Sequence, residues 1–396
     1  MKLKLMTDQQ FSDKKVLLRA DFNVPMADGV ITDETRIRAH LDTIDILLES
    51  GARTVIVSHL GRPKGRVNEK FSLKPVAGRL SELLGREVVF LAQNTGEEIV
   101  QAVEAMNPGD VALMENIRFH PEEEADDIDF ARNLAAPFDI FVMDAFSAAH
   151  RSHASTAGVA KWLPCCAGKL MEREISFLSE VRDHPRTPFA MLLGGAKVSD
   201  KIGVIEHMLD RASVVMIGGA MAFPFLSARG IDVRDSFCEK ESIEFAKTTM
   251  EKADLRGVDI LLPTDIVAAP DPGEKTDIRR VSVTEIPEGF MGLDIGPETI
   301  ELFAGALEGS KTILWNGPMG MFENGLFSRG TLEAGMAVVA ATAKGAVSVL
   351  GGGDTAASAN ILGFADGVTH ISTGGGASLE FFEGKTLPGI APLVED

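Results

Sequence analysis

Apolar runs, many of them β-branched, recur along the chain with amphipathic stretches and glycine-rich breaks between them. In the first half they fall at 15–19, 54–58, 88–91, 111–114 and 138–143. In the second half they fall at 189–193, 213–217, 259–262, 312–315, 346–350 and 368–372. Intervening segments such as 36–48 and 73–84 carry apolar residues at helical spacing. Strands that alternate with helices predict parallel sheets covered on both faces. Two such series predict an α/β protein of two doubly wound, Rossmann-like domains. The boundary is expected at a charged amphipathic helix over 171–182, with Pro185 and Pro188 as breakers behind it.

Open α/β sheets bind ligands beyond the carboxyl ends of their strands. In the first half those ends carry Arg19, Asp21 and Asn23; His59 and Arg62; Arg118; and His150, Arg151 and His153. Arg36 opens the first helical segment. Alternate residues of extended chain share a side, which groups Arg19, Asp21 and Asn23. Arginine meets phosphate or carboxylate with a planar two-bond fork, so Arg36, Arg62, Arg118 and Arg151 predict an anion site. The competing reading is four surface arginines, each with a nearby carboxylate. Zinc is not indicated: His150 and His153 stand three apart, without a Glu or Cys at standard spacing.

In the second half the strand ends are glycine-rich: Gly194 and Gly195 before Lys197 and Lys201; Gly218 and Gly219; Gly317 and Gly320 before Glu323; Gly351, Gly352 and Gly353 before Asp354 and Thr355; and Gly374, Gly375 and Gly376. Glycine admits phosphate to the backbone, and a helix N-terminus presents free N–H groups to it. The competing reading is tight turns alone. Asp354 beside phosphates is explained if it faces Mg²⁺. The pattern GxxxxGK[ST] is absent, which excludes a P-loop kinase. Gly351-x-Gly353-x-x-Ala356 fits a relaxed dinucleotide fingerprint. The next strand, however, ends His370-Ile371-Ser372-Thr373, without the acid that would hold a ribose. A dehydrogenase is therefore a weaker reading, as is a non-catalytic binder of phosphorylated metabolites.

The chain has 396 residues, enough for two domains. Its net charge of −19 argues against a nucleic-acid or anionic-membrane surface, while leaving room for a small anion in a local arginine pocket. No apolar run approaches a membrane span of roughly 20 residues. The N-terminal stretch lacks the apolar core of a signal peptide, so a cytoplasmic location is expected. Cys165, Cys166 and Cys238 form neither a disulfide framework nor a CxxC pair.

Taken in order, "RADFNVP", "SHLGRPKG", "ENIRFHPEEE", "DAFSAAHRSHAST", "GGAKVSDKI", "WNGPMGMFE", "GGGDTAA" and "STGGGASLE" resemble the phosphoglycerate kinases, over residues 19 to 380. The resemblance implies reversible transfer of the acyl phosphate of 1,3-bisphosphoglycerate to MgADP, in a monomer whose two domains flank a cleft. It implies a phosphoglycerate domain over 1–170, a hinge helix over 171–185, a nucleotide domain over 186–380, and a tail over 381–396 that returns to the first domain. Asp21 and Asn23 would bind the glycerate backbone, with Phe22, Leu60 and Gly61 on the same loops. His59, Arg62, Arg118 and Arg151 would hold the distal phosphate, and Arg36 would lie over the transferred group. Lys197 and the N–H groups around Gly375 and Gly376 would steady that group. Lys201 would contact the nucleotide phosphates, Glu323 the ribose, and Gly352, Gly353, Asp354 and Thr355 would form the phosphate loop, with Asp354 on Mg²⁺. Asp21, able only to accept hydrogen bonds when ionised, would select a ligand hydroxyl; an ion pair with Arg19 or Arg36 is the other reading, and both can coexist. Ser147 and Ala148 stand where the family more often has Gly-Thr, and Pro224 where a polar residue is usual. They bear on the substrate loop and the adenine pocket respectively.

Overall fold

The computed structural model describes residues 1–273 and 277–395. Residues 274–276 and the last residue of the expected tail, 396, lie outside them. The chain divides into two compact units, one of Met1–Ser176 with Thr386–Asp396 and the other of Phe177–Lys385.

A six-stranded parallel sheet forms the first unit, in the order Val88–Leu91, Val111–Met114, Arg53–Val57, Lys15–Arg19, Ile140–Met143, Cys165–Ala167. Successive strand residues face opposite sides, yet Val16, Leu17 and Leu18 are all fully buried. Both faces of the sheet are therefore covered, as parallel pairing through crossover helices requires. The second unit repeats the plan, in the order Asp259–Leu261, Val214–Ile217, Phe189–Leu193, Thr312–Asn316, Val347–Gly351, His370–Ile371. The α/β fold of two parallel sheets thus agrees with the hydrophobic pattern.

Three features depart from that pattern. The segment 36–48 is two helices, Thr35–Arg38 and Leu41–Glu49, because the chain turns at Ala39–His40, where the His40 side chain is drawn inward. An edge strand, Cys165–Ala167, extends the first sheet. The second unit also holds an antiparallel sheet of Arg279–Ser282, Asp265–Ala269 and Met291–Ile295.

A single helix, Lys169–Asp183, contains the division between the units. Its first N–H groups do not go unpaired: Lys169 donates to Thr43 Oγ1 at 2.8 Å, and Leu170 and Met171 donate to Asp144 Oδ1 at 2.9 and 3.2 Å. The segment from Thr386 onward packs in the first unit, burying Leu387, Ile390 and Leu393. It is tied down by Lys4 N–H to Leu393 O at 2.8 Å and Gly389 N–H to Ala149 O at 2.8 Å.

Both sheets start near their middle and wind outward in two directions. In the first unit the winding reverses between Lys15–Arg19 and Ile140–Met143, and in the second between Phe189–Leu193 and Thr312–Asn316. At such a reversal the two following loops diverge and leave a crevice.

Candidate functional site

At the first reversal, Asp21 follows one strand and Ser147 the other. The Ser147 hydroxyl donates to Asp21 Oδ2, which also accepts from Arg36 Nη1 at 2.6 Å. Asp21 Oδ1 accepts the Asn23 N–H at 3.0 Å and lies 3.8 Å from His59 Nδ1. Asn23 Oδ1 accepts the Gly61 N–H at 2.7 Å, and the Arg118 guanidinium donates to Gly61 O at 3.0 Å. Three strand-end loops are thereby laced together. Phe22 is buried, its N–H donated to Ser58 Oγ at 2.8 Å. Beneath them Arg19, fully buried, donates to Ser155 Oγ at 2.9 Å and to Ala20 O, and lies 3.2 Å from His59 Nδ1.

The cations of this cluster repel one another. Burial, then Arg19 and Arg151, push the Arg118 guanidinium down to about 10. Burial lowers Arg19 as well, Glu123 and Asp21 acting against it and Arg151 with it. Burial drives the His59 ring well below its usual range, against the pull of Asp21 and with Arg19, Arg118 and Arg151, so the ring is neutral at pH 7. For Asp21, burial alone would raise the carboxyl. The Arg36 guanidinium, the Ser147 hydroxyl and the Asn23 amide oppose it and hold the group well below the usual carboxylate range. With His59 neutral, Arg36 is its charged partner. Burial and Arg151 push His150 down to about 4, and its Nε2 accepts from Arg151 Nε at 3.2 Å.

At the second reversal the loops after Phe189–Leu193 and Thr312–Asn316 touch backbone to backbone. Gly195 N–H donates to Pro318 O at 2.7 Å, and a Cβ on Gly317 would fall on the Gly194 carbonyl. Thr355 Oγ1 pins the next loop, accepting from Gly317 N–H and donating to Gly351 O, both at 2.7 Å. Gly352, at φ +92°, turns the chain into the helix Gly353–Ile361, whose N-terminus has no side-chain cap. Gly375, at φ +51°, does the same for Gly376–Phe382. Lys201 is buried beside Gly195, and burial lowers its ammonium against Asp200, Asp354 and Glu239. Next to these loops opens a cavity of about 540 Å³, whose walls include Phe223, Met291, Leu293 and Met319 and whose rim carries Glu323 and Asp354. Apolar walls with a few polar groups at the mouth suit a flat heterocycle bearing phosphates. Among the described residues no three His, Cys, Asp or Glu side chains gather to hold a metal ion. One exposed carboxylate, Asp354, in the first turn of a helix behind a glycine-rich loop would fit a cation that takes most of its oxygens from bound phosphates.

Asp21, Asn23, Arg36, His59, Gly61, Arg118 and Arg151 therefore lie together in the first unit, with Leu60 buried next to Gly61. Arg62 is exposed and makes none of these contacts. His153 faces Glu123, with Nδ1 3.7 Å from Oε1, and not the cluster centre. In the second unit Lys197 is exposed, and Pro224 is buried outside the cavity wall to which its neighbour Phe223 contributes. Sequence reasoning missed the anchoring role of Arg19, although its position two before Asp21 was the signal. It also missed the cavity walls: Met291 and Leu293 sit on the antiparallel sheet, which the strand–helix alternation does not register.

A sequence model of the family described as phosphoglycerate kinase matches residues 6–385. A phosphoglycerate kinase of Thermosipho africanus is 50% identical over 98% of this chain and 96% of its own length. One of Pelotomaculum thermopropionicum is 51% identical over 100% of both. The solved phosphoglycerate kinase of Coxiella burnetii superimposes with a TM-score of 0.91 at 38% identity, covering 99% of this chain and 98% of that one.

Proposed function

The chain belongs to the phosphoglycerate kinase family, and from that premise we propose how its two strand-end sites divide the work. The enzyme is a kinase of glycolysis that moves the acyl phosphate of 1,3-bisphosphoglycerate to ADP, giving 3-phosphoglycerate and ATP. Arg118, Arg151, Arg62 and His59 receive the distal phosphate of the acid, on the loops that also carry Leu60 and Gly61. Asp21 accepts the substrate hydroxyl while Asn23 and the Phe22 backbone shape the loop. Arg36, tethered to Asp21, reaches the group in flight. Lys197 and the N–H groups at Gly375 and Gly376 steady that group from the nucleotide side. The supporting observation is the crowding of cations here: Arg118 is lowered by burial, then by Arg19 and Arg151, and Arg19 is lowered by burial with Arg151 adding to it, and such a cluster attracts an anion.

On the second unit, Gly352, Gly353, Asp354 and Thr355 cradle the nucleotide phosphates, Lys201 contacts them, Glu323 meets the ribose and the apolar cavity takes the base. Asp354 would ligate Mg²⁺, whose charge, when bound, offsets that of the phosphates. Both acceptors, a carboxylate and a diphosphate, are already ionised, so the reaction calls for positioning and charge neutralisation, with no general base. A monomer in the cytoplasm, serving small-molecule substrates and neither nucleic acid nor membrane, completes the reading. No helix among the described residues is long and apolar enough to cross a membrane.

The test is a coupled assay with 3-phosphoglycerate, ATP and Mg²⁺. Turnover is expected; none at saturating substrates would sink the assignment of the sites. Transfer also requires the two ligands to meet, by bending at the helix Lys169–Asp183, which excludes water from the acyl phosphate. Small-angle scattering should show a smaller radius of gyration with both ligands than with either alone.

A further inference from the structure

His40 stands outside the set of groups assigned above, yet it is almost fully buried and both its ring nitrogens are engaged. Nε2 accepts the backbone N–H of Asp21 at 2.9 Å. The ring proton therefore sits on Nδ1, 2.7 Å from Asp144 Oδ2. The other oxygen of Asp144 accepts from Leu170 and Met171 N–H at 2.9 and 3.2 Å, in the first turn of the helix that runs on into the second unit. Neighbouring groups hold this line in place. Phe22 packs edge-on against the imidazole, with centroids 5.6 Å apart. Thr43, one turn after His40, takes the Lys169 N–H. Asp144 donates its own N–H to Arg19 O at 3.0 Å, and at Gly168 a side chain would collide with the Asp144 carboxylate. The break in the helical segment at Ala39–His40 is what lets the ring reach both partners.

We propose that His40 is a positioning residue for the transfer reaction: it fixes the backbone at Asp21 and passes occupancy of that loop, through Asp144, to the first turn of Lys169–Asp183. This rests on the reading of the Asp21 loop as the acid site. A buried relay of three hydrogen-bonded groups has few arrangements. A shift at Asp21 on binding an acid must then be felt at Leu170 and Met171.

Hydrogen exchange read by mass spectrometry on the whole enzyme tests it. In the wild type, saturating 3-phosphoglycerate should slow exchange in both 19–25 and 169–176. In His40→Ala it should slow only 19–25, with kcat down about tenfold and KM for ATP within about twofold of wild type. His40→Asn puts an amide N–H near the place of Nδ1 and keeps the Asp144 bond without the one to Asp21. It should restore unliganded protection at 169–176 but not the response to ligand, a split that a purely structural role would not give. A ligand response at 169–176 in His40→Asn equal to that of wild type would overturn the proposal. If His40→Ala does not fold, His40→Asn carries the test, together with the imidazole ¹⁵N shifts of the unliganded wild type. These should report the Nδ1–H tautomer, and an Nε2–H ring would overturn the proposal without any ligand. If 3-phosphoglycerate fails to protect 19–25 in the wild type while the tautomer is as expected, the acid-site reading fails and the relay loses its trigger.

Discussion

Asp21 and Asp294 are both buried carboxyls, and their surroundings push them in opposite directions. Asp21 is held low although burial opposes it, because Arg36, a hydroxyl and an amide all favour the anion. Asp294, on the wall of the second unit's cavity, is pushed up to about 7 by burial, with only the N–H groups of Gly330 and Ile295 against it. The consequences for stability have opposite signs. Between about pH 4 and 7 the unfolded chain has lost the proton that folded Asp294 keeps. The second unit should therefore weaken as pH rises through that window, then level off. His59, lowered in the fold, refuses a proton that the unfolded chain takes below about pH 6.5, so the first unit should weaken as pH falls from there. Asp21 adds to that loss only in stronger acid, below about pH 4, as the pH drops through its lowered value. Trp162 lies in the first unit and Trp315 in the second, so single-tryptophan variants followed in urea at pH 5 and pH 8 would separate the two responses. Asp294→Asn should flatten the second. Arg36→Ala removes the charged partner of Asp21 and, on the proposed reading, a donor to the moving phosphoryl group. A kcat loss of about two orders, near 3 kcal/mol, is expected by analogy with deleting one preorganised donor. If steady-state kinetics showed a change in KM alone, Arg36 would be only a tether.

Loops built by glycine contact tolerate no side chain. Gly317 has φ +94° and faces the Gly194 carbonyl, so Gly317→Ala meets both a left-handed backbone and a peptide that cannot step aside. A loss of about 2 kcal/mol or more in the second unit is expected, with weaker nucleotide binding, both measurable by calorimetry. Gly353→Ala, with φ outside the left-handed region and open space where its Cβ would go, should cost far less. Such pairs show what the sequence makes legible. The strands at 15–19, 111–114 and 189–193 were readable because a buried parallel strand is apolar along most of its length. The turns after 189–193 and 312–316 were readable because a side chain at Gly194 or Gly317 would meet backbone. His40 was not, since a lone histidine in an amphipathic segment carries no sign of the partners, Asp21 and Asp144, that the fold brings to it from far along the chain. Nor was the antiparallel sheet of the second unit: its edge strand Arg279–Ser282 opens with two exposed arginines, and pairing supplies what its composition withholds.

At the scale of the molecule, the first unit borrows its last pieces from the far end of the chain. Leu387, Ile390 and Leu393 are buried there, and Gly389 holds Ala149, the residue before His150 and Arg151. Ending the chain at Lys385 should remove on the order of 5 kcal/mol of apolar burial from the first unit and leave the second unit's own transition nearly unchanged. Limited proteolysis and calorimetry would show early melting of the first unit alone; equal losses in both would contradict the division. The returning segment also has a consequence for biosynthesis. A ribosome makes the loops of the first unit first, yet the bridge between Leu3 and Val394 cannot close until almost four hundred codons have been read. The second unit can thus mature while the earlier-made one still waits for its clasp, so on the proposed division of sites an incomplete chain would bind ATP before it could hold the acid firmly.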